Sequence, residues 1–152
     1  VKVYIYFANY STDGGVSGRF RLRLGAGAGN NIDTGNRYHW NTFYREGTGS
    51  SNTHYATGTS YMNVLDQAHS GGAHADTGVV TLTRCTHPSS GSTNGGWMME
   101  CLAGDTTRRL SYTANGRWAS NMPINTVQIF NAGYGYDANA RMSLLYEIGD
   151  YN

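Results

Sequence analysis

Apolar and polar residues alternate with a period of two in several short stretches of this chain, and no stretch shows the three-to-four spacing of an amphipathic helix. The cleanest alternation runs from Arg19 to Leu24, with Phe20, Leu22 and Leu24 on one side and Arg19, Arg21 and Arg23 on the other. Val1 to Tyr10 sets Val3, Ile5 and Phe7 against Tyr4 and Tyr6, and Tyr38 to Arg45 carries strand character through Tyr38, Trp40, Phe43 and Tyr44. Val79 to Arg84 and Trp97 to Leu102 read as strands joined by HPSSGSTNGG, followed by a short strand at Arg108 to Tyr112. Tyr61 to Leu65 forms either a short strand or a single turn. The last fifth of the chain holds two more alternations, one through Ile124, Val127 and Ile129 and one through Met142, Leu144, Tyr146 and Ile148. Arg141, Ser143 and Glu147 interleave with the second set, and Leu145 is the apolar exception on that outer face. The closing strand, Arg141 to Ile148, is therefore expected in a central or core-lining position, where loss of Leu144 or Tyr146 costs stability.

The connections are rich in Gly, Ser, Thr and Asn. Asp13-Gly14-Gly15 turns the chain, Gly25 to Gly35 reads as a flexible link between sheets, and Gly47 to Thr59 reads as a second long loop. Eight or nine strands with loops of this length predict an all-β protein, a two-sheet jelly-roll sandwich of antiparallel strands with long Gly-rich loops. An immunoglobulin sandwich has shorter loops and more widely spaced cysteines, and an up-and-down barrel is the other solution. The 152 residues suit a single domain, residues 1–152, able to bury a core of its own.

Composition sharpens this picture in three ways. The 21 glycines and 12 tyrosines fit turns and aromatic strands. A net charge of +1 supplies no field to draw nucleic acid or anionic lipid, so neither is an expected partner. Lys2 is the sole lysine, and the arginine bias suits forked hydrogen bonds across protein interfaces, although a lineage preference explains it equally well. With no apolar run of bilayer length and no signal-peptide pattern, the chain is expected to be soluble and to carry no export signal.

Candidate chemistry is sparse. Asp66, His69, His74 and Asp76 lie within one loop-like stretch, but His-x4-His is neither a zinc-protease nor a zinc-finger spacing, and no metal site is expected. Asp33 and Asp137 lack the spacing of a calcium loop. The Gly25 to Gly35 segment lacks the spacing and the following helix of a phosphate-binding loop. Spacing nominates no catalytic carboxylate pair among Glu46, Glu100, Glu147 and the aspartates, and no nucleophile motif is present. Neither catalytic residues nor a cofactor are expected. A symmetric hairpin centred on Thr93 would set Cys85 opposite Cys101, within reach of a disulfide. The loop-borne Tyr55, Tyr61, Tyr134, Tyr136 and Asp137 suit sugar binding, or else cover a sheet edge or an interface. The arginine row Arg19, Arg21, Arg23 is either a solvated sheet face or an interface with acidic groups of a neighbour.

A Trp, an Ile-x-x-Val-x-Ile strand, a connecting loop and a terminal Leu-Leu-Tyr-Glu-Ile, spanning Arg117 to Ile148, resemble the C-terminal signature of jelly-roll structural domains in tailed-phage virions. Glu147 stands where the family has Gly, and Ala140-Arg141 where it has Gly-Ser. The resemblance implies a virion part of a bacteriophage, either a capsid cement (decoration) protein or a tail-fibre or appendage domain. It also implies folding in a reducing host cytoplasm, with both cysteines as free thiols and one or both in the core.

Strands that begin at Val1 and end at Ile148 leave no stem or anchoring segment, which favours the cement protein over the fibre tip. The expected function is non-enzymatic: a structural protein of the capsid surface that stabilises the head by bridging subunits of the major capsid protein. The resemblance implies a homotrimer at threefold positions. The expected contacts are Arg19, Arg21 and Arg23 with Tyr134 and Tyr136, because Arg and Tyr are the side chains interfaces favour. The alternative is a receptor- or carbohydrate-binding domain of a phage tail fibre.

Overall fold

The computed structural model describes residues 1–10, 18–27, 29, 31–45, 47, 49, 51–68, 76–85, 96–105, 110–120, 122–131 and 141–147. These residues form ten strands: β1 (Lys2–Tyr10), β2 (Gly18–Gly25), β3 (Tyr38–Arg45), β4 (Ser51–Thr59), β5 (Met62–Ala68), β6 (Asp76–Cys85), β7 (Gly96–Asp105), β8 (Leu110–Trp118), β9 (Thr126–Asn131) and β10 (Arg141–Glu147). Every pairing is antiparallel, and the strands divide into a seven-stranded sheet, ordered β10-β1-β6-β7-β8-β3-β4, and a three-stranded sheet, ordered β5-β2-β9. The expected two-sheet, all-β sandwich is the observed architecture.

Alternation explains the core. Val3, Ile5 and Phe7 of β1, Val80 and Leu82 of β6, Trp97, Met99 and Cys101 of β7, and Tyr112, Ala114 and Trp118 of β8 are buried on the inner face of the large sheet. Phe20, Leu22 and Leu24 of β2 and Met62, Val64 and Leu65 of β5 close the core from the small sheet. Phe7 meets Phe20 edge to face at 5.1 Å, and β5 packs over β3 and β8. At Gly116 the two sheets press so close that an added Cβ would lie 2.8 Å from Met62 Sδ and 3.0 Å from Met99 Cε.

A polar knot holds one end of the sandwich. The Tyr38 ring stacks on Trp118 at 6.2 Å, and its hydroxyl accepts from Leu24 N–H (3.0 Å) while lying 2.9 Å from the Asp33 carbonyl. The Asp33 carboxylate accepts from Trp118 Nε1 (2.7 Å) and Gly35 N–H (2.8 Å), with Arg37 Nε at 3.7 Å. The glycine-rich link is thereby folded back on β2: Gly25 bridges Ile32, and Gly27 sits at φ 84°, a left-handed conformation glycine adopts without strain.

Three expectations need correction. The segment Gly47 to Thr59 was expected as a loop, yet its second part is β4, an edge strand of the large sheet. Its sequence, SNTHYATGT, does not alternate because almost all of it is exposed and neither face needs apolar residues. The closing strand β10 is neither central nor core-lining: it is the opposite edge, exposed at every residue. Its alternation nevertheless marks the face correctly, since Met142, Leu144 and Tyr146 pair with the buried Phe7, Ile5 and Val3. No strand of the smaller sheet covers them. Finally, the β6–β7 register sets Cys85 opposite Gly96 and Cys101 opposite Val80, so the hairpin is not centred on Thr93.

This division of burial is measurable by chemical denaturation. Leu22→Ala removes a fully buried side chain and should cost ~2–5 kcal/mol. Leu144→Ala, on the uncovered edge, should stay within about 1 kcal/mol of the parent monomer. Equal losses at the two positions would contradict the edge placement of β10.

Candidate functional site

The outer face of the small sheet carries the arginine row. Alternation along β2 sends Phe20, Leu22 and Leu24 inward, so Arg21 and Arg23 emerge on the opposite face, where they are half-buried. They are not freely solvated. Arg21 Nε donates to Asn63 Oδ1 (3.3 Å), and its guanidinium lies 4.2 Å from the centre of the Tyr61 ring. Arg23 Nε donates to the Ser60 carbonyl (2.9 Å), its Nη1 reaches Gln128 Oε1 (3.5 Å), and its guanidinium lies 4.3 Å from the Phe130 ring. Tyr61 meets Phe130 edge to face at 6.2 Å and stacks against Trp40 at 6.5 Å.

Each guanidinium is thus seated on an aromatic ring and pinned by neutral acceptors, an arrangement worth about 0.5–1 kcal/mol per cation–π pair at exposed sites. Among the described residues neither guanidinium meets a carboxylate. The orientation is fixed while N–H groups remain for an incoming acceptor, which suits forked recognition of carboxylates. The Arg19 side chain lies outside the described residues, as do Tyr134 and Tyr136. Sequence reading missed the supports: Ser60, Tyr61, Asn63, Gln128 and Phe130. The registers that join them, Arg21 with Asn63 and Phe130 and Arg23 with Gln128, come from long-range pairing of β2 with β5 and β9.

A second surface lies on the outer face of the large sheet. Val79, Thr81, Glu100, Leu102, Thr113 and Asn115 border a groove of about 380 Å³. Thr81, Glu100 and Asn115 stand in one cross-strand row, and a shallower depression beyond Asn115 is bordered by His39, Tyr55, Met98 and Arg117. Tyr55 therefore belongs to this face, while Tyr61 sits over Arg21, so the two do not converge on one sugar site. Asp137 lies outside the described residues.

Two carboxylates that spacing did not nominate come together in the fold. The register Thr77–Gly104 makes Asp76 and Asp105 cross-strand neighbours, and both are buried. Burying a carboxylate is costly unless it is hydrogen-bonded or paired. They are separated in sequence by a hairpin, so only the β6–β7 register reveals them. Of the metal candidates, His69, His74 and the Asp66 side chain lie outside the described residues, and Asp76 points into the core. Among the described residues no group of three His, Cys, Asp or Glu side chains is placed to hold a metal. Asp33 is committed to Trp118, Gly35 and Arg37.

The cysteines are free thiols, Cys85 exposed and Cys101 buried. Their positions opposite Gly96 and Val80 set them five residues apart along the ladder, roughly 16 Å at the rise of a strand. Burial, reinforced by Asp76, pushes the Cys101 thiol up to about 12, so it is a poor nucleophile at neutral pH. No helix among the described residues is long and apolar enough to cross a membrane. The chain matches no protein-family model and no curated protein, and its fold matches no solved structure.

Two outcomes check this chemistry. A thiol reagent should modify Cys85 at once in the native protein and Cys101 only on unfolding; simultaneous labelling would contradict the burial. Burial also raises the Tyr38 hydroxyl to about 12, from an ordinary value near 10. A proton held more tightly when folded gives stability that is intact below pH ~10 and falls as pH rises towards ~12. Alkaline titration of thermal stability should show that fall, and Tyr38→Phe should flatten it while lowering stability at neutral pH.

Proposed function

We propose that this chain is a non-enzymatic structural domain of a phage virion, a jelly-roll cement protein that bridges neighbouring subunits of the major capsid protein on the outside of the head. The observation that supports this most is the seated arginine pair: Arg21 and Arg23 are held half-buried over Tyr61 and Phe130, with no acidic partner among the described residues. Arginine and aromatic side chains in fixed geometry are what protein interfaces select, and an acidic surface on a capsid subunit would complete them. The resemblance of Arg117 to Ile148 to virion domains supplies the setting.

The function needs no reaction. A protein that binds only the assembled shell stabilises it by mass action, by RT ln(1 + [L]/Kd), and a copy that spans two subunits holds a contact that would otherwise open alone.

A receptor- or carbohydrate-binding role on a tail fibre is the second reading, favoured by the groove of Glu100, Asn115, Thr81, Thr113 and Leu102. Polar side chains lining a groove can hold a sugar ring by hydrogen bonds from its rim.

Imaging of virions, with heating of particles assembled with and without the protein, separates the two. Density on the shell and loss of heat resistance on omission support the cement role. Arg21→Ala with Arg23→Ala should then lower occupancy on the shell at least tenfold, about 1.4 kcal/mol, without loss of fold. Density at the tail, or glycan binding by the isolated chain that Glu100→Ala removes, would move the assignment to the receptor-binding reading.

A further inference from the structure

The two edges of the large sheet differ in chemistry. Edge strand β4 is polar along most of its length, as solvated edges usually are, whereas β10 exposes Met142 (38%), Leu144 (57%), Leu145 (55%) and Tyr146 (46%). Among the described residues no strand lies outside β10, so its outer edge presents a row of backbone N–H and C=O groups beside apolar side chains on both faces.

We infer that the occupant of this edge is a second copy of the same strand, paired antiparallel about a two-fold axis at Leu144. Residues opposed in an antiparallel ladder point to the same face, so the axis of a self-pairing must pass through a residue position, not between two. Placed at Leu144, it aligns the whole of β10 with itself. Arg141 then lies opposite Glu147 of the second copy at both ends of the ladder, Met142 lies opposite Tyr146, and Leu144 opposite its own equivalent.

Three observations support this pairing, and the first of them selects the axis. Opposite charges meet at both ends, whereas an axis at Ser143 sets Arg141 against Leu145, and one at Leu145 sets Glu147 against Ser143. Met142, Leu144 and Tyr146 continue the core face of β1, because they pair with Phe7, Ile5 and Val3. Pairing would cover them with the same three side chains from the second copy and join two seven-stranded sheets edge to edge. Glu147 is already held in place, since the Tyr4 hydroxyl donates to its Oε2 at 3.1 Å, a contact that also raises the Tyr4 pKa. The inference does not depend on the virion assignment: it concerns how the chain meets itself wherever it works.

The test uses the full chain in solution. Light scattering over a concentration series should give twice the 16.6 kDa of one chain, and Leu144→Arg, which faces its own copy, should return a monomer with an unchanged fold by circular dichroism. Arg141→Glu should weaken association at least tenfold, and adding Glu147→Arg should restore it. In a Cys85→Ser background, Leu144→Cys should form an interchain disulfide on mild oxidation, because a residue on the axis opposes itself, while Ser143→Cys should not. A monomer at all concentrations, a trimer, a dimer indifferent to Leu144→Arg, or crosslinking through Ser143→Cys alone would each overturn the inference. Failure here would leave the cement reading to its own test on virions.

Discussion

The architecture is governed by a mismatch in width: three strands cannot cover seven. The small sheet buries the middle of the large one, where β7 and β8 supply two tryptophans and a close approach of β8 to Met62 of the small sheet at Gly116. The outermost strands of the large sheet receive no cover from it. Hydrophobic burial scales with the area removed from water, so β4 and β10 are held mainly by one backbone ladder each, to β3 and β1. Whatever binding the molecule does through its sheet edges follows from that deficit.

Much of the fold was legible because alternation reports the face of a residue directly. Phe20, Leu22 and Leu24 are buried and Arg21 and Arg23 emerge opposite them, as their spacing implies. Alternation does not report whether anything lies over that face. Met142, Leu144 and Tyr146 point to the core side and are still exposed, because a strand's own sequence carries no record of the width of the opposing sheet. The reverse failure occurs at β4, where polar residues on both faces hide a strand that pairs along its length with β3. Register was equally out of reach: a hairpin whose turn shifts by a few residues moves Cys101 from Cys85 to Val80.

The candidate binding surfaces show the same split. The arginines of β2 were visible in sequence, but what makes them a surface is the set of groups brought to them by β5, β9 and the Ser60-Tyr61 bend, none of them adjacent to β2 in the chain. A lone exposed arginine loses much rotamer entropy when it is immobilised at an interface. With Arg21 and Arg23 already seated on rings and held by Asn63, Ser60 and Gln128, that loss is largely taken during folding, so the proposed contact is preorganised.

Stability of the scaffold and freedom at its edges are arranged in different places. The Asp33–Trp118–Tyr38 knot ties the end of β8 to β2, β3 and the glycine link, inside the covered part of the sandwich. The β10 edge lies four strands from β8 in the ladder and shares no contact with the knot. A substitution on that edge can therefore change what the chain pairs with while the core keeps its shape. That separation is what a domain needs if its partners are to be set by surface chemistry alone. On the inferred self-pairing it also explains why apolar residues stand exposed on an edge strand: their burial is deferred until the second copy supplies the missing cover.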